Sequence, residues 1–152
     1  MSVVRRYAVI AIVVIVVAAL AFLFRDRISG SAANLKVGDC FDRPTVLVEI
    51  KDVQHHPCTD AHTAEVFAVV THPAAAGAPV PDTNTITQFF ATSCLPILTT
   101  YIGEDATAQT VLDFGAFYPN DDGWRSGDRS ITCYLYRVDE KPMTATMQGA
   151  KP

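Results

Sequence analysis

The sequence predicts an α+β protein in two parts. One N-terminal helix of membrane-spanning character is followed by a small disulfide-bonded domain, in which an antiparallel sheet packs against one main helix kinked at a proline. Three observations predict this. Residues 7–24, from Tyr7 to Phe24 (YAVIAIVVIVVAALAFLF), run for eighteen positions without a charge, Pro or Gly. All four cysteines, Cys40, Cys58, Cys94 and Cys133, lie beyond that run. The remainder alternates short β-branched segments with a single stretch of helical period, the mixture expected of an α+β domain.

A bilayer core needs about 17–25 apolar residues, so residues 7–24 are long enough to span one. Arg5 and Arg6 precede the run, and Arg25, Asp26 and Arg27 follow it. The more positive first flank predicts residues 1–6 in the cytoplasm and the C-terminal part outside, with the run as a single-pass anchor in the cell membrane. A cleaved signal peptide is the competing reading, because Ala19-Leu20-Ala21 fits a small-x-small cleavage site. The anchor is preferred: Phe22-Leu23-Phe24 extend the run past any such cut, and a signal core is only about 7–15 residues long.

Charge divides at the same place. Residues 1–35 carry a net +3 and residues 36–152 a net −7. An acidic outer domain repels nucleic acid and anionic headgroups at long range, which excludes them as main partners. Four cysteines in an exported domain read as two disulfides. There is no CxxC, and so no zinc knuckle and no thioredoxin-type motif.

Residues 25–35 are expected to be a linker, since ISGSAANL is small and polar. The outer domain is placed at 36–142. Residues 45–50 (TVLVEI) predict a strand, 54–60 (QHHPCTD) a loop, and 64–70 (AEVFAVV) a second strand buried on more than one face. Residues 71–81, rich in Pro and Ala, read as an exposed loop. From Asp82, apolar residues recur at three and four (Ile86, Phe89, Phe90, Cys94, Ile97, Leu98, Tyr101, Ile102), marking one face of a helix. Asp82 or Thr83 suits its N-cap and Gly103 its C-cap. Pro96 predicts a kink near residues 92–94, or two short helices meeting there. Residues 110–117 and 130–137 predict strands, with turns between them, and 143–152 a fraying tail with too little apolar content to order itself.

This pattern argues one pairing of the cysteines. Cys94 shares the helix face of Ile86 and Phe90, and Cys133 shares a strand face with Ile131 and Leu135. Packing that helix on that strand joins Cys94 to Cys133 and leaves Cys40 with Cys58. In the loop-entropy description these closures contribute about 4 and about 3 kcal/mol respectively.

His55, His56, Asp60, His62 and Glu65 crowd around Cys58. They suggest a metal site or a general base, but their spacing matches no standard ligand motif, and a polar loop bonded to backbone is preferred. Asp121, Asp122 and Asp128 lack the spacing of a calcium loop. No GxSxG, SxxK or P-loop occurs. No catalytic residue, metal or cofactor is therefore assigned.

Taken together, KVGDCF at 36–41, CTDAHTAEVF at 58–67, Cys94 on a helix ending YIG at 101–103, WRSGDR at 124–129 and Cys133 resemble the septum-formation domain of actinobacterial membrane proteins. The resemblance covers about residues 35–137. It departs at Ala61, where the family usually has Pro before the histidine. It implies an exported, cysteine-bearing domain behind a single membrane segment, with a part in cell division at the septum. It implies no reaction and no catalytic residues. The function expected is a non-enzymatic, membrane-anchored module that binds or positions an envelope or division partner. The alternative is an exported metal-binding or hydrolytic domain using the segment from His55 to Glu65. Trp124 with Arg125, Asp128 and Arg129 is the first candidate partner surface, since interfaces favour Trp and Arg. The competing reading of Trp124, as a core plug, is preferred because large aromatics are mostly buried. His62 and Glu65 are the second candidates.

Overall fold

The structure, a computed structural model, describes residues 3–24, 29–45 and 52–152. Residues 46–50 of the strand expected at 45–50, and the charged flank at 25–27, lie outside the described residues. Helix α1 (Val3–Phe24) has 22 residues. Among the described residues, no helix is long and apolar enough to cross a membrane. The side chains of residues 9–20 on α1 are exposed.

Among the described residues, six strands form one sheet: β1 (Ser29–Ser31), β2 (Cys40–Phe41), β3 (Asp52–His56), β4 (Ala64–Thr71), β5 (Leu112–Phe117) and β6 (Ser130–Arg137). Their spatial order is β1-β3-β2-β4-β6-β5, and every ladder is antiparallel. The domain is α+β, with two disulfides and one bent helical element. β4 lies inside the sheet, and its first five residues are all buried. The reason is that both faces are covered. Phe67 and Ala68 join the core beneath the helices, with Leu98, Ile102, Ile131 and Leu135. Ala64 and Val66 join a second core with Leu35, Phe41 and Val53. A register shift between Val66 and Ala68 places two successive side chains, Phe67 and Ala68, in the helix-side core.

The bent element resolves into α2 (Thr83–Ser93) and α3 (Leu95–Ile102). Asp82 caps α2 by accepting from Thr85 N at 2.9 Å. Pro96 sits in the first turn of α3, where its missing N–H costs no helical bond. Cys94 is the joint: its N–H donates to Phe90 O, and its carbonyl accepts from Leu98 N. Gly103 ends α3 at φ 78°, the left-handed conformation glycine adopts without penalty.

Three expectations are corrected. Residues 54–56, read as loop, belong to β3: His55 and His56 pair with Phe41 and Cys40 across the β2 ladder. Residues 29–35, read as linker, carry β1, which pairs with β3, and the buried Ala32 and Leu35. The tail at 143–152 is ordered, although its composition is polar. Its order comes from backbone hydrogen bonds: His62 and Met143 exchange N–H···O bonds at 3.0 and 2.8 Å, and Gly149 N and Lys151 N donate to Tyr101 O and Ile102 O at 2.8 and 3.0 Å. The latter two satisfy carbonyls that the end of α3 would otherwise leave without partners. The turn-rich segment after β5 also holds a short helix, α4 (Asp121–Arg125).

Candidate functional site

The polar residues singled out by sequence separate into two buried groups and one surface cleft. The first group surrounds Glu65. Its place on β4 puts it opposite Cys40 on β2 and Leu135 on β6, so its carboxylate is fully buried. Three donors converge on it. Tyr101 of α3 donates its hydroxyl at 2.6 Å, Thr146 donates its hydroxyl to the same oxygen, and Met147 N donates to the other oxygen at 2.8 Å. An ionised carboxylate is an acceptor only, and charge-assisted bonds of this kind are the strong ones. The C-terminal segment is thus a strap held by a buried carboxyl group. Burial, followed by the hydrogen bond to Glu65, pushes the Tyr101 hydroxyl well above its ordinary value.

His62 lies beside this group and is also fully buried. Its Nδ1–H donates to Asp60 O at 2.9 Å, which leaves the lone pair on Nε2. That nitrogen is buried and has no hydrogen-bond partner among the described residues. Donor atoms of Cys40, His62 and Glu65 all lie within 4.8 Å of one another. Cys40 is bonded to Cys58, so its sulfur is not a thiolate and the three do not form a metal site as they stand.

The second group is Trp124 and Arg129. Trp124 is 1% exposed and is a core plug, not a surface anchor. Its indole N–H donates to Ala78 O at 2.9 Å. The Arg129 guanidinium stacks on the indole at 4.0 Å. It donates to Trp124 O at 2.6 Å, Asp128 O at 2.8 Å, Ala75 O at 3.0 Å and Ala74 O at 3.2 Å. Together they hold the loop before α2 against α4, a job for which Arg's rigid fork is suited. His72 packs between Phe89 and Trp124, with ring centroids 4.5 and 5.1 Å away. Burial, then the Arg129 charge, lowers its pKa. Arg125 remains exposed and pairs with Asp122; Asp128 is exposed and accepts from Ser130 N. The four residues of the first candidate surface therefore do not form one exposed patch.

The surface cleft, about 240 Å³, lies over the Cys40–Cys58 disulfide and is lined by Gly38, Asp39, His55, His56 and Pro57. His56 Nε2 pairs with Asp42 at 2.9 Å. The second disulfide, Cys94–Cys133, is fully enclosed. Sequence reasoning missed the role of Tyr101, Thr146 and Met147 around Glu65. No local motif announces it, because the donors stand 36 to 82 residues away.

An antiparallel sheet with a jointed helix on one face, two disulfides and a buried carboxylate anchoring the chain end define a small disulfide-bonded α+β domain. The family model described as septum formation matches residues 37–151, and the chain belongs to that family. No curated protein and no solved structure matches it.

Proposed function

We propose that this chain is a membrane-anchored, extracytoplasmic, non-enzymatic module that binds or positions a protein of the envelope or division machinery during septum formation. The carrying observation is the family match, which takes in nearly the whole outer domain, strap included. Anchoring is supported by the uncharged run at 7–24, all of it within α1; its eighteen residues at 1.5 Å per residue reach about 27 Å, near the lower end of what a bilayer core needs. The outward orientation is supported by the +3 against −7 charge division and by the two disulfides, which persist in oxidising compartments. The non-enzymatic reading is supported by the fate of the reactive side chains: His62, Glu65, Trp124 and Arg129 are enclosed and hold the fold.

The test is made on the full chain in an actinobacterial cell. A photo-crosslinking residue at exposed Tyr118 or Val138 should trap an envelope or division protein, and a fluorescent fusion should collect at septa. Even distribution around the membrane, together with normal septa after depletion, would refute the division role. Release of the chain by alkaline carbonate, or a soluble form lacking residues 1–21, would refute the anchor. The second reading, a metal-binding domain, is favoured by one observation, the unpartnered Nε2 of His62.

A further inference from the structure

We propose that opening the Cys40–Cys58 disulfide creates a three-ligand site for a zinc-class divalent cation, built from Cys40 Sγ, His62 Nε2 and a Glu65 carboxylate oxygen. The two disulfides differ in access. Cys94 and Cys133 are both fully buried, whereas Cys58 is half-buried and lies in the wall of the 240 Å³ cleft, with Cys40 behind it at 2% exposure. A thiolate entering the cleft therefore meets Cys58 first.

The reductant is a dithiol of the protein-oxidoreductase class. Its thiolate attacks Cys58 Sγ, forming a mixed disulfide, and the Cys40–Cys58 bond breaks with its electron pair going to Cys40 Sγ. The second thiol then displaces Cys58, which leaves as a thiol after taking up a proton. Two electrons pass to the domain and the dithiol becomes a disulfide.

The new thiolate stays where the cation needs it. Cys40 is held by the sheet on both sides, paired with His56 on β3 and with Glu65 on β4. The adjacent backbone is pinned by Gly38 N to Val66 O at 2.8 Å and Val66 N to Asp39 O at 2.9 Å. Cross-strand pairing puts the Cys40 and Glu65 side chains on one face. His62 is prepared in the same way as zinc-bound histidines generally are: its Nδ1–H is committed to a backbone carbonyl, which fixes the tautomer and leaves Nε2 as the ligating nitrogen. A buried nitrogen without a partner carries a desolvation cost, and a metal bond removes it. Donor atoms around a tetrahedral zinc lie about 3.5 Å apart, so a contraction of about an ångström from the 4.8 Å bound closes the site. Thiolate, imidazole and carboxylate are a zinc donor set, and three protein ligands leave one position open. The strap that bonds His62 and Glu65 lies over two of the three ligands.

The experiment uses the full chain in detergent. Cys58→Ser frees Cys40 without any reductant and leaves Cys94–Cys133 intact. The probe is Co²⁺, read by its thiolate charge-transfer absorption, with Zn²⁺ as competitor. One equivalent of Co²⁺ should bind the Cys58→Ser chain with that absorption, and none should bind the oxidised wild type. The absorption should vanish on adding Cys40→Ser, and affinity should fall at least tenfold on adding His62→Ala, while His55→Ala leaves it unchanged. A folded Cys58→Ser chain without the absorption overturns the proposal, as does full-strength absorption after His62→Ala. If Cys58→Ser fails to fold by near-ultraviolet circular dichroism, phosphine-reduced wild type decides in its place. A domain that unfolds there too also overturns the proposal, which requires the sheet to hold Cys40 once the disulfide is open.

Discussion

Tyr101→Phe tests the buried carboxylate most directly. The substitution removes one hydroxyl, 2.6 Å from Glu65 Oε1, and keeps the ring that packs against Phe67 at 6.4 Å between centroids, so no cavity opens. Tyr101 is 8% exposed and Glu65 fully buried, so water does not replace the lost donor without rearrangement. A hydrogen bond to a charged group contributes about 1.5–3 kcal/mol, and we expect a loss of about 2 kcal/mol. With urea slopes of about 1–3 kcal/mol per molar for small domains, the unfolding midpoint should fall by about 1 M. Urea unfolding of residues 29–152, followed by the single tryptophan, Trp124, reads this directly. Glu65→Gln should weaken the coupling: its amide N–H₂ has to face the hydroxyls, because Met147 N–H is a fixed donor. Tyr101→Phe made in the Glu65→Gln background should then cost at least about 1 kcal/mol less than in wild type. A loss below about 0.5 kcal/mol in wild type, or no coupling in the double-mutant cycle, would refute the description of Glu65 as the anchor of the strap.

Arg129→Lys should cost about 2–3 kcal/mol, since an ammonium cannot span four carbonyls or stack on the indole; a red shift of Trp124 emission would report the loosened loop. The depressed His72 pKa sets an acid-side dependence. The unfolded chain binds the proton more readily, so this contribution is complete above about pH 6.5 and is lost as the pH falls from there through the lower folded value; urea midpoints against pH should show it, and His72→Asn should flatten the profile. The raised Tyr101 pKa acts at the other end: the unfolded phenol ionises first, so stability falls as the pH rises above about 10, and absorbance titration of wild type against Tyr101→Phe isolates it. Replacing Cys40 and Cys58 together by Ala should cost about 3 kcal/mol and replacing Cys94 and Cys133 about 4, from loops of 18 and 39 residues; equal costs would point to strain or residual structure instead.

Periodicity made much of the scaffold legible. The helix face from Ile86 to Ile102, its interruption at Pro96 and the strands at 64–70 and 130–137 follow from patterns local to the chain. The face argument also joined Cys94 to Cys133, the pair found in the structure. It worked because a helix packed on a sheet leaves few cysteine faces to choose between. His55 and His56 misled because their polarity masks a strand that pairs through its backbone. Trp124 sits in a turn-rich segment that resembles an exposed loop, yet the indole reaches inward to Ala78 O.

The sequence by itself determined the apolar N-terminal run, the charge division, the cysteine count and the period of each long element, because each is a property of neighbouring residues. Tertiary structure decided what the polar residues do. Glu65 is buried because strands on both sides and the chain end, 82 residues away, enclose it. The tail is ordered because α3 leaves carbonyls unsatisfied at the place where the chain returns. Residue spacing carries no information on either point, since each depends on which backbone and side-chain groups meet after the sheet has closed.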